Sequence, residues 1–191
     1  AGAVVVNCNP FTLGHRYLIE KAASCCDMLY VFVLTEDRSR FKASDRLMLV
    51  RAGTEDIANV VVCETGPYMI SSVTFPTYFL KEQSQAQDIA CRLDLEIFVK
   101  IFAKEMNISM RFVGTEPNCK VTAAYNKCMH EFLPPLGIRV LEIPRKEIDG
   151  VPVSASRVRA LIDAGDIEKT AALVPPSTYR YIEEHFSLKG G

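Results

Sequence analysis

The chain lacks the glycine-rich signatures that most often announce a nucleotide site: there is no G-x-x-x-x-G-K-S/T and no G-x-G-x-x-G, so the P-loop and dinucleotide-fingerprint readings have no support. Its seven cysteines form no C-x-x-C pair, and most sit in apolar runs or helices. They are expected to be small, reduced, buried hydrophobes, with Cys8 as the one thiol near a candidate site. Charge of one sign is also missing. The 22 Lys and Arg nearly balance the 23 Asp and Glu, leaving a formal net charge of -1, which argues against a broad nucleic-acid surface. No apolar run approaches the roughly 20 residues that cross a bilayer, and no signal peptide opens the sequence. These absences predict a cytoplasmic protein with neither membrane nor nucleic acid as partner. No ligand-spaced cluster predicts a resident metal.

What is present is an alternation of strands and helices over 191 residues. Ala3 to Val6, Leu29 to Thr35, Val60 to Cys63, Met110 to Val113 and Arg139 to Ile143 read as strands. Between and after them, helices are expected at His15 to Cys26, with Leu18, Ala22, Cys25 and Cys26 inward, and at Ser44 to Ala52, capped by Ser44 with Asp45 in its first turn. Further helices are expected at Ala86 to Met106, at Thr122 to Phe132, from Ser154 to Gly165, and from Pro175 onward, with Asp166 capping a short one between. Gly66 to Thr77, with Pro67 and Pro76, reads as loop, and Asp149-Gly150 as a turn. Five strands with intervening helices predict an α/β fold, a Rossmann-like parallel five-stranded sheet with helices on both faces. Without repeat, linker or low-complexity tract, residues 1–191 are expected to form one domain.

Ligands of such sheets bind at the strands' carboxyl ends, and two segments there carry chemistry. In Asn9-Pro10-Phe11-Thr12-Leu13-Gly14-His15 a strand end meets a helix start, where unpaired N–H groups and the helix dipole attract anions. Gly14 permits close backbone approach, Thr12 offers a hydroxyl, and His15 offers an imidazole donor. A tight turn with a partly exposed histidine would look the same. In Val153-Ser154-Ala155-Ser156-Arg157-Val158-Arg159, Ser154 is a candidate N-cap, while Ser156 and Arg159 are helix-surface neighbours able to face one anion. A Ser-capped helix with solvated arginines is the alternative. Arg38, Arg40 and Lys42 crowd the loop after the second strand, and Gly114 and Thr115 end the fourth. Each also reads as an ordinary solvated loop or tight turn.

The T-x-G-H spacing of residues 12–15 resembles the signature of the nucleotidylyltransferase superfamily, and residues 153–159 resemble its I-S-S-T-x-x-R element, with Ala155 for the middle Ser and Ser156 for Thr. The strings Val5 to Leu18, Phe112 to Pro117, and Glu142 to Arg145 followed by Val153 to Arg159 narrow this to a resemblance, over essentially the whole chain, to the citrate (pro-3S)-lyase ligase family. The resemblance implies that this is the C-terminal catalytic part of a longer protein. It implies ATP as substrate, acetate activated to acetyl-adenylate with release of pyrophosphate, and transfer of the acetyl group to the thiol prosthetic group of the citrate lyase acyl carrier subunit. It gives His15 the α-phosphate in the transition state, Thr12 an α-phosphate oxygen, Lys42 the departing pyrophosphate, and Ser154, Ser156 and Arg159 the outer phosphates. Asn9 would touch the nucleotide or shape its turn, and Gly14, Gly114 and Thr115 would approach it. Mg²⁺ would be held mainly by phosphate oxygens and water, since no carboxylate cluster offers a cage. An adenylyltransferase acting on phosphopantetheine or nicotinamide mononucleotide, and a non-catalytic nucleotide-binding or carrier-docking module, are the alternatives.

Overall fold

The computed structural model describes residues 1–71, 85–116 and 119–187. Five strands, β1 (Gly2–Val6), β2 (Leu29–Val33), β3 (Val60–Glu64), β4 (Met110–Gly114) and β5 (Arg139–Ile143), form one sheet in the order β3-β2-β1-β4-β5. Every pairing in it is parallel. The helices are α1 (Leu13–Ala23), α2 (Ala43–Ala52), α3 (Gln85–Ile97), α4 (Lys120–Phe132), α5 (Ala155–Asp163) and α6 (Pro176–Phe186). A π-helical stretch, Phe98–Ala103, continues α3. Two short strands, β6 (Glu147–Ile148) and β7 (Val151–Pro152), make an antiparallel hairpin whose turn residues Asp149 and Gly150 both have positive φ.

The central strand explains the two-sided core. Along β1, Val4 and Val6 pack with Ile19, Leu49, Val158 and Ile182 from α1, α2, α5 and α6. Ala3 instead joins Leu95, Phe98, Tyr125 and Met129 from α3, its extension and α4 on the opposite face. Successive side chains point to opposite faces, so a strand buried on both sides must be apolar at every position. Strand order reverses between β1 and β4, and the cleft outside their carboxyl ends is where an open α/β sheet binds its ligand.

Several local expectations change. The inward residues of α1 are Ile19, Ala22 and Ala23, and the helix ends before the exposed Cys25, because the chain turns at Ser24 toward β2. Lys42, not Ser44, occupies the N-cap of α2, and the Asp37 carboxylate accepts from the Ala43 N–H at 2.9 Å instead. Asp45 does lie in the first turn of that helix. Asp166 precedes the short helix Ile167–Ala172 but makes no capping bond and takes an ion pair with Lys169. Only Cys8 and Cys91 of the seven cysteines are fully buried. The loop expected from Gly66 begins as a short 3-10 helix, Gly66–Tyr68; its remainder from residue 72, including Pro76, lies outside the described residues, as does Pro117.

Candidate active site

A cavity of about 880 Å³ opens at the carboxyl ends of β1, β4 and β5, and Thr12, Gly14, His15, Gly114, Ser154, Ser156 and Arg159 all line it. Its two principal walls, the starts of α1 and α5, touch through Gly14. A Cβ there would stand 2.9 Å from the Val153 carbonyl oxygen, closer than real Cβ contacts allow. The glycine is thus required by the neighbouring chain segment.

The start of α1 is a reciprocal capping box. Thr12 Oγ1 accepts from the His15 N–H at 3.3 Å, and His15 Nδ1 accepts from the Thr12 N–H at 3.1 Å. With Nδ1 an acceptor, the ring proton resides on Nε2. Burial, and then the positive charge of Arg145, push the His15 pKa down to about 4. The imidazole is therefore a neutral hydrogen-bond donor at physiological pH. Thr12 is fully buried, and its hydroxyl lies 2.9 Å from His15 Nδ1, so the side chain expected on a phosphate oxygen is engaged in holding the histidine. Leu13 N–H is also occupied, by the Leu173 carbonyl at 2.9 Å. Of the first-turn donors of α1, Gly14 N–H is left without a protein acceptor among the described residues.

The start of α5 is more open. Ser154 is the N-cap and accepts from the Arg157 N–H at 3.2 Å, while its hydroxyl lies 3.0 Å from that of Ser156. The N–H groups of Ala155 and Ser156 have no protein acceptor among the described residues. Arg159 Nη1 donates to the Asn9 carbonyl at 2.5 Å, and burial followed by the nearby charge of Arg40 destabilises its cationic form. The carboxylate of Asp163, ion-paired with Arg40, partly offsets this.

Three expected residues lie elsewhere. Asn9 does not line the cavity: after a cis peptide to Pro10, its side-chain oxygen accepts from the Phe41 N–H at 3.1 Å. Thr115 is also outside, its N–H bonded to the Ile143 carbonyl and its carbonyl accepting from Arg145 Nε at 2.8 Å. Lys42 is exposed and does not line the cavity. Arg40, likewise exposed and outside the lining, is the loop residue beside Arg159; it ion-pairs with Asp163 on α5 and lies 4.8 Å over the Phe186 ring. Cys8 is buried beside Arg46, and burial raises its pKa so far that it stays a thiol.

The cavity also contains cations that the sequence did not single out: Lys120, Arg145, Lys146 and Arg157. Arg145 is ion-paired with Glu116, a carboxylate that lines the same cavity. Its position two residues beyond the β5 end was the available signal, since ligands gather at strand ends. No group of His, Cys, Asp and Glu suited to a metal occurs among the described residues, and none of their helices is long and apolar enough to cross a membrane.

The sheet order and cleft define a Rossmann-like α/β fold. A Vibrio parahaemolyticus protein described as a nicotinate-nucleotide adenylyltransferase superimposes with a TM-score of 0.58 at 16% identity, over 96% of this chain and 90% of its own. Thermotoga maritima TmcAL, solved with alpha-thio ATP, superimposes with a TM-score of 0.54 at 14% identity, over 96% of this chain and 55% of its own. Sequence comparison is more specific. Residues 1–182 match the family described as Citrate lyase ligase C-terminal domain, and the chain belongs to that family. It is 46% identical to the citrate (pro-3S)-lyase ligase of Escherichia coli K12 across 95% of this chain and 53% of the relative. The Klebsiella pneumoniae ligase is 46% identical across 95% of this chain and 54% of the relative, and that of Haemophilus influenzae 41% identical across 96% and 56%. The chain thus spans about half the length of the curated relatives it matches.

Proposed function

We propose that this domain is the adenylating unit of a citrate lyase ligase: it binds ATP between the starts of α1 and α5, activates acetate, and delivers the acetyl group to a thiol on the citrate lyase acyl carrier subunit. One observation carries the reading. A neutral His15, its proton fixed on Nε2, lines the same cavity as the open N–H groups of Gly14, Ala155 and Ser156 and the guanidinium of Arg159. This is a donor set for a polyphosphate, and phosphoryl chemistry needs positioning and charge stabilisation more than a protein nucleophile.

In the first step an acetate oxygen bonds to the α-phosphorus while the bond to the bridging α–β oxygen breaks, and pyrophosphate leaves with that bond's electron pair. His15 Nε2–H donates to the α-phosphate oxygens as charge builds there, and Thr12 holds the ring in this tautomer. Ser156 and Arg159, which line the cavity, hold the outer phosphates, and Arg40, ion-paired with Asp163 on the helix that carries Arg159, joins Lys42 as a loop cation offered to pyrophosphate. In the second step the carrier thiol attacks the acyl carbon, its proton passes to solvent, and AMP leaves. Glu116, the carboxylate lining the cavity, is paired with Arg145, so Mg²⁺ arriving with ATP would take its oxygens from phosphate and water.

The adenylyltransferase alternative gains something from the extra cations, since Lys120, Lys146 and Arg157 suit an anionic acceptor. Exchange of labelled pyrophosphate into ATP separates the readings. Exchange that depends on acetate supports the proposal; exchange driven by phosphopantetheine or nicotinamide mononucleotide, and by no carboxylate, overturns it. ATP binding without exchange, in this chain and in a full-length relative, leaves a docking module.

A further inference from the structure

The most deeply buried charge among the described residues lies outside the cavity. Arg46, on α2, is 0% exposed. Its guanidinium spans two loops: Nη1 donates to the Asn7 carbonyl at 2.9 Å and to Asn7 Oδ1 at 2.6 Å, Nη2 donates to the Glu36 carbonyl at 2.7 Å, and Nε donates to the Phe41 carbonyl at 3.1 Å. Asn7 begins the turn after β1, while Glu36 and Phe41 bracket the loop after β2 that carries Arg40. Burial weakens the cation, so its retention needs these carbonyl contacts. The same two loops are joined again where Asn9 Oδ1 accepts from Phe41 N–H, and Asn9 in turn accepts from Arg159 through its carbonyl.

We infer that Arg46 is a positioning residue for the outer phosphates: by clamping the loop after β2 to the turn after β1, it sets Arg40 beside Arg159. The inference rests on the ATP reading of the cavity and extends it to a residue that never meets the nucleotide. Lysine retains the charge but, lacking the planar fork, cannot span Asn7, Glu36 and Phe41 together.

The test measures dissociation constants for ATP and AMP by calorimetry in the wild type, Arg46→Lys, Arg40→Ala and the double variant. Arg46→Lys is expected to lower the preference for ATP over AMP about tenfold, and adding Arg40→Ala should lower it little further, the non-additivity of two residues acting as one device. Asp94→Asn disturbs a buried hydrogen-bonded carboxylate in the other core and controls for instability; it should reduce thermal stability and leave the ratio unchanged. If Arg46→Lys fails to fold, Asn9→Ala removes the parallel link to Phe41 without stranding a charge and should shift the ratio in the same direction. A wild-type ratio in the folded variant, or full additivity with Arg40→Ala, overturns the role of Arg46. Failure of the wild type to prefer ATP overturns the ATP reading itself, and the inference with it.

Discussion

Gly14 and Val153 join the two halves of the candidate site: a methyl group on residue 14 would lie 2.9 Å from the Val153 carbonyl oxygen. The turn that carries His15 and the N-cap that starts α5 are held at contact distance by the absence of a side chain. Gly14→Ala must therefore push the segments apart. It should cost about 1–3 kcal/mol of stability, the usual range for overpacking, and it should weaken ATP binding more than an equally destabilising change remote from the cavity. Denaturant unfolding with ATP titration checks this; unchanged affinity in a destabilised protein would detach the contact from function.

His15→Ala should lower turnover by about 10²–10³-fold with little change in ATP affinity, as expected for a donor used mainly in the transition state. Near-normal adenylation by this variant would remove His15 from the mechanism. Thr12→Val should also impair the reaction, because valine cannot reproduce the hydroxyl contact to the ring.

The protonation of His15 sets a pH window. Its folded pKa is lowered from 6.5 to about 4, so between these values the unfolded chain binds more protons than the native one. The neutral ring's contribution to stability is complete above pH 6.5 and is lost as pH falls toward about 4. NMR titration of the ring should give a midpoint well below 6.5, and Arg145→Gln should raise it, since the arginine's charge opposes protonation. A midpoint at or above 6.5 would contradict the neutral-donor role.

The general plan was legible in the sequence because its signals are local. Apolar runs such as Val4 to Val6 announce strands buried on both faces, and Ser154 is the N-cap its sequence suggests. The engagements of side chains were not legible. Thr12 turned inward to cap His15, and Asn9 turned toward Phe41, because each found a backbone or ring partner only after the loops met. Arg46 gave no sequence signal, since a charged residue on a helix ordinarily faces water. Lys42 and Arg40 look equivalent in a chain of letters. The contact with Asp163, on a helix far along the sequence, sets them apart.

Within that loop, Arg40→Ala should weaken ATP binding more than Lys42→Ala, because Arg40 lies beside Arg159 and pairs with Asp163 on the same helix, whereas Lys42 sits at the start of α2. Arg159→Ala should weaken ATP more than AMP by about 1.5–3 kcal/mol, the range for hydrogen bonds to charged groups. It should also lower the melting temperature by freeing the Asn9 carbonyl. Equal losses for ATP and AMP would place Arg159 away from the outer phosphates.

Gly114 permits a test in which fold and ligand separate. It lines the cavity, yet a Cβ built there meets nothing within 4 Å, so its backbone imposes no demand for glycine through contact. Gly114→Ala should therefore leave stability nearly unchanged. A larger side chain would extend into the space from the end of β4, the strand beside the switch in sheet order where a nucleotide's sugar and base would pass. Gly114→Leu should thus leave the unfolding midpoint close to wild type while sharply reducing both ATP and AMP binding. Losing the two together would locate the obstruction at the nucleoside, in contrast with the ATP-selective loss expected of Arg159→Ala. A folded Gly114→Leu protein that binds both nucleotides normally would exclude the β4 side of the cavity from the nucleotide site.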